Sequence, residues 1–236
     1  MNIKVNKKRL IFDFDHTLAY RDGMWTATIY EILQENDYNN ISYNKIEPFT
    51  HIGFPWYDYE IPHKVFFKDL SWWEYMEKMI KNIFLNLDIK DKEANKFSKL
   101  FKDKYLNIEK WHLFGDTYEA LTKANKNNFE CYILTNHTPE IRDIIKGLEI
   151  NKFIKKVYNS ADIGYEKPHY KIYQALLNDL NDKPENFIMI GDNYISDITG
   201  ARSNGINAIL VRKENKYNYK YYSKDLKNIF TIIDKI

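Results

Sequence analysis

Apolar and polar positions along the chain follow two different rhythms. Five short, β-prone apolar runs have the length of strands: Leu10 to Phe14, Phe129 to Leu134, Lys156 to Tyr158, Phe187 to Ile190 and Ala208 to Val211. Between the later runs the apolar residues recur at helical spacing. Ile141, Ile144, Ile145 and Leu148 share a face behind Thr138 and Pro139, which read as N-cap and first helical position, with Gly147 near the end. Pro168 opens a second helix with Ile172, Tyr173, Leu176, Leu177 and Leu180 on one side. A third runs from about Tyr194 to Gly205, which reads as its C-cap. Strands separated by helices of this length predict right-handed crossovers and a mostly parallel sheet.

Residues 20 to 110 break the alternation. Trp25, Ile29, Ile32 and Leu33 are in helical register, an aromatic loop with prolines runs from Pro48 to Pro62, and Trp72 to Leu87 and Ala94 to Leu106 are again helical in pattern. A helical insertion is therefore expected between the first and second strands. No internal repeat and no low-complexity linker interrupts the chain.

Composition narrows the picture. At 236 residues, with 44% hydrophobic, 16% aromatic and 29% charged residues, the chain has enough apolar surface for one α/β domain carrying a smaller one. A formal charge of +2 is far from that of a dedicated nucleic-acid or polybasic membrane module. The Tyr-, Lys- and Asn-rich segment Lys213 to Lys224 has a composition that stacks on nucleic acid, but lacking a wider basic field it reads as a solvated loop. The single cysteine, Cys131, sits mid-strand, so neither an internal disulfide nor a cysteine zinc cluster is expected, and it reads as a buried small hydrophobe. No secretory signal and no run of 18 apolar residues stands out, which fits a cytoplasmic protein with no membrane partner.

Chemistry concentrates where strands end. In IFDFDHTL, Asp13 and Asp15 follow an apolar strand, and a turn after Asp13 points both carboxylates at one site. Alone, the pair is equally explained as strand-end turn chemistry. The second run ends in Thr135 and Asn136, a hydroxyl and loop amides at a strand's carboxyl end. Lys167 supplies a cation, and the fourth run ends in GDNYISD with Asp192 and, one turn on, Asp197. Carboxylates, a hydroxyl and a lysine suit an oxygen-loving cation such as Mg2+ beside a phosphate. Neither a Walker-type phosphate loop nor a dinucleotide-binding glycine motif is present.

With these residues in order, the chain resembles the haloacid dehalogenase-like (HAD) hydrolase superfamily. The resemblance rests on DFDHT at Asp13 to Thr17, LTN at Leu134 to Asn136, Lys167 in YEKPHYKIY, and GDNYISD from Gly191 to Asp197, continued by ITGARSNGINAILV. It spans residues 8 to 20 and 110 to 236. It implies an α/β, Rossmann-like three-layer core with a mostly parallel five-stranded sheet over residues 1–19 and 110–236, and an inserted α-helical cap over 20–109. It also implies a Mg2+-dependent phosphatase. Asp13 would attack phosphorus, Asp15 would protonate the leaving oxygen and then activate water, and Thr135 with the Asn136 amide would hold phosphate oxygens beside Lys167. Mg2+ would be bound by the Asp13 carboxylate, the Asp15 carbonyl and Asp192, with Asp197 orienting that shell. The expected partner is a small phosphorylated metabolite; oligomeric state is left open.

His16, where relatives often have glycine, and Asn193, where they often have serine or threonine, depart from the pattern and read as variable turn residues. Asp15 separates the chain from dehalogenases, which lack an acid there because a halide leaves without a proton. A phosphomutase would share every motif residue, whereas a non-catalytic phosphate-binding module would be expected to lose Asp13 or Asp192. Phe54, Trp56, Tyr57, Tyr59, Trp72 and Trp73 would stack on a base in a nucleotidase, or else pack a small helical cap. His51, His63, His112, His137 and His169 have no metal-ligand spacing and read as structural or surface groups.

Overall fold

In the computed structural model, which describes residues 9–68 and 70–236, the chain divides into two compact units: residues up to Tyr20 with His112–Ile236, and Arg21–Trp111. Residues 1–8 of the expected core lie outside the described residues. The strands are β1 (Arg9–Phe12), β2 (Ala19–Arg21), β3 (Trp111–Leu113), β4 (Glu130–Thr135), β5 (Ile154–Asn159), β6 (Phe187–Gly191), β7 (Asn207–Val211) and β8 (Tyr222–Ser223). β2 and β3 form a two-stranded sheet, and the other six form one sheet in the order β5-β4-β1-β6-β7-β8. Every neighbouring pair in the larger sheet is parallel.

The sequence of β1 explains its central place. Leu10, Ile11 and Phe12 are all fully buried, as a parallel strand covered on both faces requires, and β6 is apolar without alternation for the same reason. On one face Ile11, Tyr132, Leu134, Met189 and Leu210 pack with Ile172, Tyr173 and Leu176 of the helix Tyr170–Leu180. The alternate residues Leu10, Phe12, Ile133, Ile188, Ile190 and Ile209 are buried on the opposite face. Register places Phe12 beside both Ile133 and Ile190. The chain runs outward through β4 and β5 on one side of β1, then returns to lay down β6, β7 and β8 on the other. That reversal opens a crevice at the carboxyl ends of the strands.

Four elements depart from the sequence expectation. The sheet has six strands rather than five, because Tyr222–Ser223, inside the segment expected as a solvated loop, pairs with Leu210 and Val211. Two residues carry no readable periodicity; the strand is held by the edge that β7 offers, with Leu210 N–H on Tyr221 O and Tyr219 Oη on Ala208 O, each at 2.9 Å. The helices expected to open at Pro139 and Pro168 begin at Ile141 and Tyr170, each behind a turn. The His169 ring accepts from Lys171 N–H at 3.2 Å and so caps the second of them. The third helix is π-helical over Tyr194–Thr199 and α-helical over Gly200–Ser203, ending near Gly205 at φ 76°.

The inserted unit holds three longer helices, Met24–Gln34, Trp72–Asn86 and Asp91–Leu106. The second begins in a capping box, Ser71 Oγ accepting from Glu74 N–H while the Glu74 carboxylate accepts from Ser71 N–H. Trp25 is the hub of this unit, its ring centroid 4.6 Å from Tyr105, 4.9 Å from Phe101, 5.1 Å from Phe54 and 5.4 Å from Trp56. Trp56 also stacks on Phe54 at 4.7 Å, and Trp72 lies 6.3 Å from Trp25. Phe54 and Trp56 of the loop are thus packing groups of this unit, as is Trp72; Tyr57 is half exposed and hydrogen-bonds His51 Nδ1 at 2.6 Å. Among the described residues no helix is long and apolar enough to cross a membrane.

Cys131, in the middle of β4, has no solvent exposure, and burial pushes its thiol up to about 12. Its thiolate fraction at neutral pH is then lower by roughly a thousandfold than that of an exposed cysteine. The folded protein should therefore resist an aromatic disulfide reagent that labels it promptly in denaturant. Prompt labelling of the folded chain would show that β4 is not the closed interior strand described.

Candidate active site

Each motif residue lies at or just beyond the carboxyl end of a strand, or on the segment that follows it. Asp13 follows β1, and its N–H still bonds Ile190 O at 2.9 Å, so its backbone extends the sheet before the chain turns. In the turn, Leu18 and Ala19 N–H both reach Phe14 O, and His16 N–H reaches Ala19 O at 2.8 Å. His16 takes up a left-handed φ of 58°, which explains why glycine suits this position and why histidine, one of the side chains that tolerates it, can replace it.

Lys167 ties the site together. Its ammonium, 2% exposed, donates to Asp13 Oδ1 and to Asp197 Oδ1, both at 2.7 Å. Asp197 is fully buried on the π-helical segment, and its Oδ2 accepts from Asn193 N–H at 2.9 Å. A Cβ on Gly191 would stand 2.2 Å from that same Oδ2, so only glycine leaves room for the Asp197 carboxylate against β6. Asn193 is more than a variable turn residue: its Oδ1 accepts from Ile195 and Ser196 N–H at 3.0 and 3.1 Å and caps the segment that carries Asp197.

The side chain of Asn136 does work that the sequence does not show. It donates to Lys167 O at 3.0 Å and accepts from Lys167 N–H at 2.7 Å, bracketing the backbone from which the ammonium extends. Thr135 is fully buried, and its Oγ1 has no hydrogen-bond partner among the described residues. An orphaned buried hydroxyl at the carboxyl end of β4, the neighbour of the strand that leads into Asp13, suits an oxygen-rich anion.

Two neighbours escaped the sequence pattern. His137 is buried, with Nε2 3.8 Å from Asp15 Oδ1 and its ring edge-on to Phe14 at 5.7 Å. Burial pulls its imidazole down to about 4, so it is neutral at physiological pH. Lys213 lies in the segment expected to be a solvated loop, yet it reaches Asp192 Oδ2 at 2.6 Å. Proximity to LTN was the one available hint for His137; for Lys213 there was only its place just past a strand end.

Electrostatically, the site holds more negative charge than its lysines offset. Burial, opposed by Lys167 and reinforced by Asp192, raises the Asp13 carboxyl. Asp15 is held well above the usual carboxylate range by burial and by the charges of Asp13 and Asp192. Burial and Asp197 raise Asp192 against the pull of Lys213, while burial and Asp13 raise Asp197 to about 6 against that of Lys167. Burial alone would lower Lys167, but Asp13 and Asp197 hold it above the ordinary lysine range. Asp13, Asp192 and Asp197 each present an oxygen within 4.8 Å of the others, an all-carboxylate donor set that fits a hard divalent cation. The Asp15 carboxylate is outside that group and faces His137 instead.

Lys167→Met leaves two buried carboxylates without their common partner. In chelator at pH 8 it should cost about 3–5 kcal/mol, as breaking a buried pair does. The cost should shrink as pH falls to about 6 and below, where Asp197 takes up a proton, and the raised carboxyl of Asp13 acts in the same direction. The sign follows from linkage: carboxyls raised in the fold bind protons more tightly than in the unfolded chain, so their protonation favours the folded state as pH falls. Urea unfolding across pH measures it, and a cost independent of pH would remove the assignment.

The haloacid dehalogenase-like hydrolase family model matches residues 63–211. Over 102 residues the chain is 39% identical to the glyceraldehyde 3-phosphate phosphatase of Methanothermobacter thermautotrophicus, covering 43% of this chain and 45% of that protein. It is 28% identical over 129 residues to the pyrophosphatase PpaX of Oceanobacillus iheyensis, covering 51% and 59%. The matched region thus spans about half the length of these curated relatives. Among solved structures, the HAD-hydrolase YfnB from Bacillus subtilis, bound to magnesium, superposes with a TM-score of 0.70 at 16% identity, covering 97% of this chain and 99% of that one. With the family model reaching from the inserted unit through β7, and the parallel sheet and its inserted helices repeated in that solved structure, the chain belongs to the haloacid dehalogenase-like hydrolase family.

Proposed function

We propose that the chain is a Mg2+-dependent phosphatase that hydrolyses a small phosphate monoester through an aspartyl-phosphate. The observation that carries this reading is the buried ammonium of Lys167 shared between Asp13 and Asp197, with the Thr135 hydroxyl as a nearby orphan. Lys167 orients the Asp13 carboxylate and leaves positive charge where the equatorial oxygens of a transferring phosphoryl group need it.

Asp13 attacks phosphorus in line while the bond from phosphorus to the ester oxygen breaks. Asp15, whose carboxyl is raised by burial and its acidic neighbours, gives its proton to that oxygen, and the alcohol leaves. The Asp15 carboxylate then takes a proton from water as the water oxygen attacks the phosphoryl group. The bond to Asp13 breaks, and orthophosphate departs. Thr135 Oγ1 and the Asn136 amide are assigned to the phosphate oxygens. The Asp13 and Asp192 carboxylates and the Asp15 carbonyl would hold Mg2+, with Asp197 fixing the geometry around it. When bound, the cation supplies the charge that lets a phosphate dianion approach an ionised carboxylate.

An acid at Asp15 favours ester hydrolysis over dehalogenation, since an alkoxide needs a proton and a halide does not. The relatives named as phosphatases of a sugar phosphate and of pyrophosphate support a small phosphorylated substrate. Arg21–Trp111 is assigned the part of a substrate-selecting cap on chain order alone, because it begins directly after the turn that carries Asp15.

Turnover of p-nitrophenyl phosphate tests the reading. Asp13→Asn should lower the rate by roughly a thousandfold or more, the loss expected on deleting an essential nucleophile. Chelator should abolish wild-type turnover and Mg2+ restore it, with Ca2+ a poor substitute. More than a tenth of the rate surviving in Asp13→Asn, or full activity in chelator, would sink it.

A further inference from the structure

Beside Asp192 lies a recess whose charges the hydrolysis of a simple ester leaves unused. It measures about 440 Å3 and is lined by His16, Phe114, Asp192, Arg212, Lys213 and Lys224, all within the first unit. Its three long cations are committed to different degrees. Arg212 is engaged structurally: it pairs with Asp116 at 2.6 Å, donates Nε–H to Thr17 O at 2.9 Å and lies over the Phe114 ring at 3.8 Å. Its left-handed φ of 69° turns the chain as it leaves β7, and Lys213 follows at once. Lys213 reaches Asp192 while its side chain is 56% exposed. Lys224 has no carboxylate partner among the described residues.

The Asp192 contact of Lys213 is the one that the proposed reaction asks it to loosen. A carboxylate engaged with a divalent cation attracts a half-exposed ammonium less, and the flexible lysine stem lets that ammonium meet another anion without moving the backbone. Two ammonium groups then face one recess that opens on a metal-binding carboxylate. A substrate with a neutral leaving group gives them nothing to bind.

We infer that this recess is a second anion subsite, and that the substrate carries a further anionic group, a carboxylate or a phosphate, which Lys213 and Lys224 bind. The inference rests on the phosphatase reading and sharpens it to the class of phosphate esters or anhydrides with two anionic ends. Lysines suit that task as point charges, taking a planar carboxylate or a tetrahedral phosphate alike.

Titration calorimetry with Mg2+ in excess tests it, using phosphonates whose P–C bond is not hydrolysed. The probes are methylenediphosphonate and phosphonoacetate, each with two anionic groups, against methylphosphonate and ethylphosphonate, each with one. The wild type should prefer the two-anion probes by about tenfold or more, the worth of one charge-assisted contact. Whichever of the two binds more tightly identifies the second anion. Lys213→Gln and Lys224→Gln should each reduce the preference, the double variant should remove it, and Lys213→Arg should keep it. A wild type without preference, or a preference that survives in the double variant, overturns the subsite. Should p-nitrophenyl phosphate be hydrolysed while no preference exists, this inference alone fails; should no ester be hydrolysed, the phosphatase reading fails, and a preference lost in the double variant still establishes the subsite.

Discussion

A single buried ammonium, Lys167 between Asp13 and Asp197, is the interaction on which the site depends. A desolvated lysine with one carboxylate would be a doubtful gain, but with two it stays charged and fixes both. The surrounding structure serves that geometry. Asn136 clamps the Lys167 backbone from both sides, Gly191 gives up its side chain so that Asp197 can approach β6, and Asn193 caps the segment that presents Asp197.

The parallel sheet makes this convergence possible. Residues far apart in the chain, Asp13, Thr135 and Asp192, meet because β1, β4 and β6 are neighbours in register and all end on the same side. The same geometry crowds carboxylates, and crowding sorts them. Asp13 and Asp197 share a lysine, Asp192 pairs with a half-exposed one, and Asp15 has no lysine bonded to it among the described residues and a neutral imidazole nearby. Groups of one kind thereby acquire different proton affinities, which is the physical requirement for dividing labour between two aspartates.

Much of this was legible in the sequence, and the reason is local. The apolar runs mark β1, β4, β6 and β7 to within a residue or two, since a strand buried on both faces has almost no choice but continuous apolar residues. The motif residues follow directly from those strand ends. What was illegible depends on distant partners. β8 is two residues long and exists only because β7 has an open edge. The link from Arg212 to Asp116 and Thr17 joins three parts of the chain that no spacing relates. Lys213, one among many lysines in a polar segment, gains its meaning only from the turn at Arg212 that sends it toward Asp192. The π-helical winding of Tyr194–Thr199, too, is absent from a periodicity that reads as an ordinary helix.

The aromatic hub around Trp25 has an optical consequence. All five tryptophans, Trp25, Trp56, Trp72, Trp73 and Trp111, fall within Arg21–Trp111, and none within the unit that carries the carboxylates and Lys167. Intrinsic indole emission therefore reports on the Arg21–Trp111 unit, while the parallel sheet carries no indole and is reported instead by the closed thiol of Cys131. Light and thiol chemistry, followed together during unfolding, can time the loss of each unit separately in the unmodified protein.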